Sequence, residues 1–96
     1  MSQSKPQFRT VDVSLPAPFE GWTATLKAEG ISARVLIELQ SGDEARAMNA
    51  TKLLVVKHNF LTSTGEPAED VLDAPMEALG AMLLAWNTAV LALPPR

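Results

Sequence analysis

The sequence predicts an α+β domain: an N-terminal β-hairpin packed on about three α-helices, the last of them long and apolar. Three observations predict it. Residues 8–28 alternate apolar and polar positions on either side of a turn-rich stretch, the spacing from Ile31 becomes helical, and residues 78–95 carry no charged side chain. With 96 residues the chain makes one domain, near the size at which burying enough apolar surface becomes difficult. The expected organisation is a loose polar tail over 1–7 and a single domain over 8–96. Within it lie a hairpin (8–28), a helical segment (31–61), an acidic loop (62–73) and a C-terminal helix (74–93).

In "FRTVDVSL" (8–15), Arg9, Val11, Val13 and Leu15 fall on one side of a strand and Phe8, Thr10, Asp12 and Ser14 on the other. "PAPFEG" (16–21) supplies the turn formers, and "WTATLKA" (22–28) returns with Trp22, Ala24 and Leu26 alternating. A lone hairpin is marginal in water, so its apolar face needs a cover.

Gly30 breaks the strand pattern. Ile31, Val35 and Leu39 then follow at helical spacing, with Arg34 and Glu38 placed as an i,i+4 charge pair. "SGDE" (41–44) stops that helix and starts another, with Ser41 or Asp43 as N-cap and Glu44 in the first turn. The second helix is expected from about Asp43 to Phe60, with Ala47, Thr51, Leu54, His58 and Leu61 along one face. "LLVVKHNFL" also has the β-branched content of a strand, so helix and strand both stand over 53–60.

The stretch 62–73 reads as a loop, with Gly65 and Pro67 interrupting any regular ladder. Glu66, Glu69, Asp70, Asp73 and Glu77 occur with no base among them. They lack the alternating ligand positions and loop glycine of a calcium-binding EF-hand, and read as solvated acids leading into a helix N-terminus. The third helix starts near Asp73 to Pro75, and its expected packing stripe is Met76, Leu79, Leu83, Trp86, Val90 and Leu93. Leu84 and Leu91 lie on another side, and Ala78, Met82, Ala85 and Ala89 on a third, so the helix is apolar nearly all round. A hairpin and two short helices are too little protein to surround it. Part of this helix therefore offers an apolar face to another chain.

Chemistry is not indicated. The chain has no cysteine, and its one histidine, His58, has no second histidine with which to build a transition-metal site. It reads as a core or boundary residue. The serines sit in no nucleophile elbow, and the glycines are too dispersed to cradle a phosphate. The expectation is a non-enzyme without metal or cofactor. A net charge of −3, with no basic residues interleaved with Trp22 and Trp86, speaks against nucleic acid. The polar start "MSQSKPQ" lacks an export h-region, and Gly80, Asn87 and Thr88 interrupt the apolar C-terminal stretch, so neither export nor a membrane span is expected.

Three stretches, "LPAPFEGWTATLKA" (15–28), "KLLVVKHNFLTSTGEP" (52–67) and "DAPMEALGAMLLAWNTAV" (73–90), together resemble the small tail assembly chaperones of long-tailed bacteriophages. The first is similar to that family's hairpin with its "EGW". The second is similar to a helix end followed by a glycine-proline turn, with His58 where the family places a tryptophan before Asn-Phe. The third is similar to its closing helix. The resemblance implies a non-enzymatic protein of the infected host's cytoplasm that binds the apolar, helical tape-measure protein, keeps it soluble and recruits tail-tube subunits. A homo-oligomer is expected.

The residues expected to bind partners are Leu84, Trp86 and Leu91 on the last helix, with Phe19 and Trp22 in the hairpin as a second set. Met76 and Met82 are expected to add adaptable contact surface. The alternatives are a homo-oligomeric structural component of a phage head-tail connector or tail, and a small regulatory adaptor.

Overall fold

A computed structural model describes residues 7–95, so the expected tail over 1–7 lies, apart from Gln7, outside the described residues. The predicted α+β architecture is present. Strands β1 (Thr10–Ser14) and β2 (Thr23–Lys27) form the hairpin, followed by helices α1 (Ala33–Leu39) and α2 (Glu44–Leu54). Strand β3 (Val55–His58) and, after a 3-10 turn at Val71–Asp73, helix α3 (Met76–Ala92) complete it. The sheet is antiparallel throughout, in the order β1-β2-β3.

Alternation in the hairpin translates directly into burial. Val11, Val13 and Leu15 of the first arm and Ala24 and Leu26 of the second turn to the core. Between the arms, the Phe19 N–H donates to Pro16 O at 2.9 Å, and the Trp22 N–H donates to Phe19 O at 3.0 Å. Gly21, at φ +85°, lets the chain turn back into β2. The open end is closed by Arg9, whose backbone N–H and Nε donate to the two Glu29 carboxylate oxygens, each at 2.9 Å.

The apolar face is covered mainly by α3 and α2. Leu26, Leu54, Ala78 and Met82 are wholly buried, Phe60 all but so, and Val71 from the 3-10 turn joins them. Ile31, Val35 and Leu39 pack on this cluster at the spacing the sequence predicts, although no residue of α1 itself is fully buried. Asp43 is the N-cap of α2, its carboxylate accepting from the Arg46 N–H at 3.0 Å.

Four expectations are corrected. First, α2 ends at Leu54 instead of running to Phe60, and residues 55–58 are strand. The β-branched pair Val55-Val56 loses little by leaving the helix, and β2 offers a ladder: Ala24 pairs with His58, Thr25 with Lys57 and Leu26 with Val55. Val56 is the extra residue at the bulge and stays exposed. Second, the direct partner of Glu38 is Arg46 of α2, its two oxygens accepting from Nε at 2.6 Å and from a terminal nitrogen at 2.7 Å, while Arg34, the expected helical partner, acts on it through its charge alone.

Third, the inward face of α3 is wider than the expected stripe and centred nearer its small residues. Leu79, Leu83 and Trp86 of the stripe do pack on the core, but Ala78 and Met82 are buried beside them, Ala85 and Ala89 continue the line, and Met76 is 59% exposed. Small side chains at 78, 85 and 89 let the helix approach β1 closely, and a helix apolar nearly all round leaves its rotation to that fit. Fourth, Asp70 is not simply solvated. It accepts from the Leu72 N–H at 2.9 Å, capping the 3-10 turn, and pairs with Lys52 Nζ at 2.8 Å.

Candidate protein-docking face

The site builds up from α3. Pro75 and Glu77 begin the helix, the proline with its preset φ and the acid near the positive end of the helix dipole. Because Ala78, Leu79 and Met82 fix the inward side, the opposite side is left to Gly80, Leu84, Asn87, Thr88 and Leu91, all exposed. Leu84 is 71% exposed and Leu91 78%, and their seven-residue separation places them on one face two turns apart. Exposing two leucines this far forgoes about 1–2 kcal/mol of transfer free energy per side chain.

The other expected partner-binding residues go elsewhere. Trp86 turns toward the sheet: its Nε1–H donates to Lys27 O at 2.8 Å, and its ring packs against the core cluster. Phe19 and Trp22 are half-buried neighbours with ring centroids 4.9 Å apart, and Trp22 continues to Phe60 at 5.5 Å. They form an aromatic row that supports the hairpin turn. Met82, offered by the sequence as adaptable contact surface, is core; Met76 remains at the surface.

A second exposed apolar area escaped the sequence reading. A groove of about 350 Å³ runs between α1 and α2, lined by Val35, Ala50 and Leu53 and bordered by the Glu38–Arg46 pair. Leu53 in it is 55% exposed, and Ile37, elsewhere on α1, is 61% exposed. The signal that could have found it is the full apolar run Val35-Leu36-Ile37 on so short a helix, which no single face can bury.

Titratable groups cluster in one open cleft of about 350 Å³, lined by Lys52, Val55, Val56, His58, Glu69, Asp70 and Val71. The Leu72 amide and then the Lys52 ammonium hold the Asp70 carboxyl below the usual aspartate range. His58 Nδ1 accepts from the Phe60 N–H at 3.1 Å, which places the proton of a neutral ring on Nε2. These interactions order the end of α2 and the turn before α3. Among the described residues no group of three or more histidine, aspartate or glutamate side chains is disposed to hold a metal ion, and no helix is long and apolar enough to cross a membrane.

No protein-family model, curated protein or solved structure matches the chain.

Proposed function

We propose that this protein is a non-enzymatic binding module that docks an apolar helical segment of another protein on the outer face of α3, and that it serves as a tail assembly chaperone of a long-tailed bacteriophage. The observation that carries the docking reading is the exposure of Leu84 and Leu91 on one side of a helix without charge beyond Glu77. Single exposed leucines are ordinary on soluble proteins, but two in register on a helix whose only charge is Glu77 make a surface that water covers poorly. The chaperone reading adds the sequence resemblance described above. In it the client is the tape-measure protein, tail-tube subunits are recruited afterwards, and the work is done in the host cytoplasm with no catalytic residue or cofactor.

The test is co-expression with a phage tape-measure protein, followed by affinity purification and measurement of the client's soluble fraction. Copurification with a rise in soluble client, both lost in Leu84→Asp/Leu91→Asp, is the expected result. An unchanged soluble fraction with the wild-type chain overturns the chaperone reading.

A further inference from the structure

Just past β3, the outer edge of the sheet is closed by a side chain in the place of a strand. Asn59 faces β2: its backbone N–H donates to Thr23 O at 3.2 Å, and its Oδ1 accepts from the Thr23 N–H at 2.7 Å. Backbone groups alternate in direction along an antiparallel strand, so those of Phe60 point to the other side. There Phe60 O accepts from the Ala68 N–H at 3.0 Å, at the base of a short turn that includes the Leu61–Pro67 bridge. The reciprocal bond of such a pair runs from the Phe60 N–H to Ala68 O. Here that N–H donates instead to His58 Nδ1 at 3.1 Å. The imidazole thus stands in for a strand's carbonyl, beside a phenylalanine that is only 1% exposed.

A carbonyl accepts at any pH, whereas an imidazole nitrogen accepts only while it carries no proton. We infer that His58 is a pH-sensitive latch on this edge: the neutral ring holds the Phe60 N–H, and the protonated ring releases it and turns into the cleft lined by Glu69 and Asp70. Protonation puts a hydrogen on Nδ1, so two donors then face each other across the 3.1 Å contact. The inference goes beyond the proposed function and does not depend on what docks on α3.

The released ring has a place to go. His58 is half-buried and lines the open cleft of about 350 Å³ together with Lys52 of α2 and with Glu69 and Asp70 of the loop. Asp70 is shared with Lys52 at 2.8 Å, and Glu69 is exposed on the same cleft. On the sheet side the neighbours are Thr23, Ala24 and Thr25 of β2, none of them titratable, and Lys57 of β3. Two carboxylates and two ammonium groups therefore surround the ring, so no net like charge bars an imidazolium from the cleft. His58 is the only histidine in the chain, and histidine is the side chain that ordinarily changes charge between about pH 5 and pH 8.

The experiment is an NMR titration of the full chain from about pH 8 to about pH 5, for wild type, His58→Asn and His58→Phe. In wild type the ring nitrogens are expected to report the Nε2–H tautomer at the alkaline end. The Phe60 amide is expected to shift along the same curve as the ring, and NOEs between the His58 and Phe60 rings, whose centroids lie 5.4 Å apart, to be lost at the acid end. Asn at position 58 offers Oδ1, which does not titrate and can accept from the amide two residues on. In His58→Asn the Phe60 amide is therefore expected to hold one position across the range. His58→Phe offers no acceptor, and at about pH 8 its Phe60 amide is expected to exchange about tenfold faster than in wild type.

A wild-type Phe60 amide that ignores the His58 titration, one that moves equally in His58→Asn, or ring NOEs that persist at the acid end would each overturn the inference. So would a Phe60 amide as well protected in His58→Phe as in wild type. Should His58→Phe fail to fold, the contrast between wild type and His58→Asn still decides the matter.

Discussion

Trp86 reaches across the domain to Lys27: its indole Nε1–H donates to the Lys27 carbonyl at 2.8 Å, joining the middle of α3 to the last residue of β2. Together with the small side chains at 78, 85 and 89, this bond holds α3 in its rotation on the sheet, and with it which side chains are left outside. Trp86→Phe keeps most of the ring's packing and removes the donor. It is expected to lower stability by about 1 kcal/mol, measured by urea unfolding followed by circular dichroism. No change would mean that packing alone sets the rotation.

Leu84 and Met82 lie two residues apart on α3 and belong to different surfaces. Leu84→Asp, at a site 71% exposed, is expected to stay folded and soluble with a stability change within about 0.5 kcal/mol. Met82→Ala, where the side chain is wholly buried, is expected to cost about 2–5 kcal/mol. Thermal melts of the two variants distinguish a docking residue from a core residue, and an unfolded Leu84→Asp would place Leu84 in the core.

The hairpin was legible because a strand with one buried face has a period of two, and Val11, Val13, Leu15, Ala24 and Leu26 all obey it. Asp43 was legible because capping is local chemistry. The junction after Leu54 was not, because what makes 55–58 a strand is β2, more than twenty-five residues earlier in the chain, and no local window contains it. The exposed face of α3 was half legible. Leu84 and Leu91 separate from the core by spacing, but Trp86 could be placed only by a carbonyl that sequence spacing does not reveal. Ion pairs between elements, Glu38 with Arg46 and Lys52 with Asp70, were beyond reach for the same reason.

Asp43→Ala removes the acceptor that holds the Arg46 N–H and leaves the first turn of α2 uncapped. The expected loss is about 1 kcal/mol. Chemical-shift changes concentrated at residues 43–47 would accompany it; a stability equal to wild type would show that Ser41 or water takes over the cap.

Asp70 makes stability depend on pH in a defined direction. Its folded pKa is lowered, chiefly by the Leu72 N–H and then by Lys52, so the carboxylate is preferred in the folded state. The stability it contributes is present above the unfolded aspartate pKa of about 3.9 and is lost as pH falls through the lower folded value. Acid titration followed by NMR is expected to show Asp70 titrating below an ordinary aspartate, with Lys52→Met moving it only part of the way back. Complete recovery in Lys52→Met would assign the whole effect to the ion pair.

Helix α1 buries none of its residues fully, and it is held to α2 by Val35, Leu39 and the surface pair of Glu38 with Arg46. Surface ion pairs contribute little, and a seven-residue helix is not stable alone. The domain therefore has a soft margin and a hard centre. Amides of 33–39 should exchange with solvent through local opening, at rates that follow neither denaturant nor the global transition, while those of β2 exchange only when the whole chain unfolds. With that exchange pattern the groove between α1 and α2 would open with the margin, whereas the outer face of α3 is borne on a helix packed against β1.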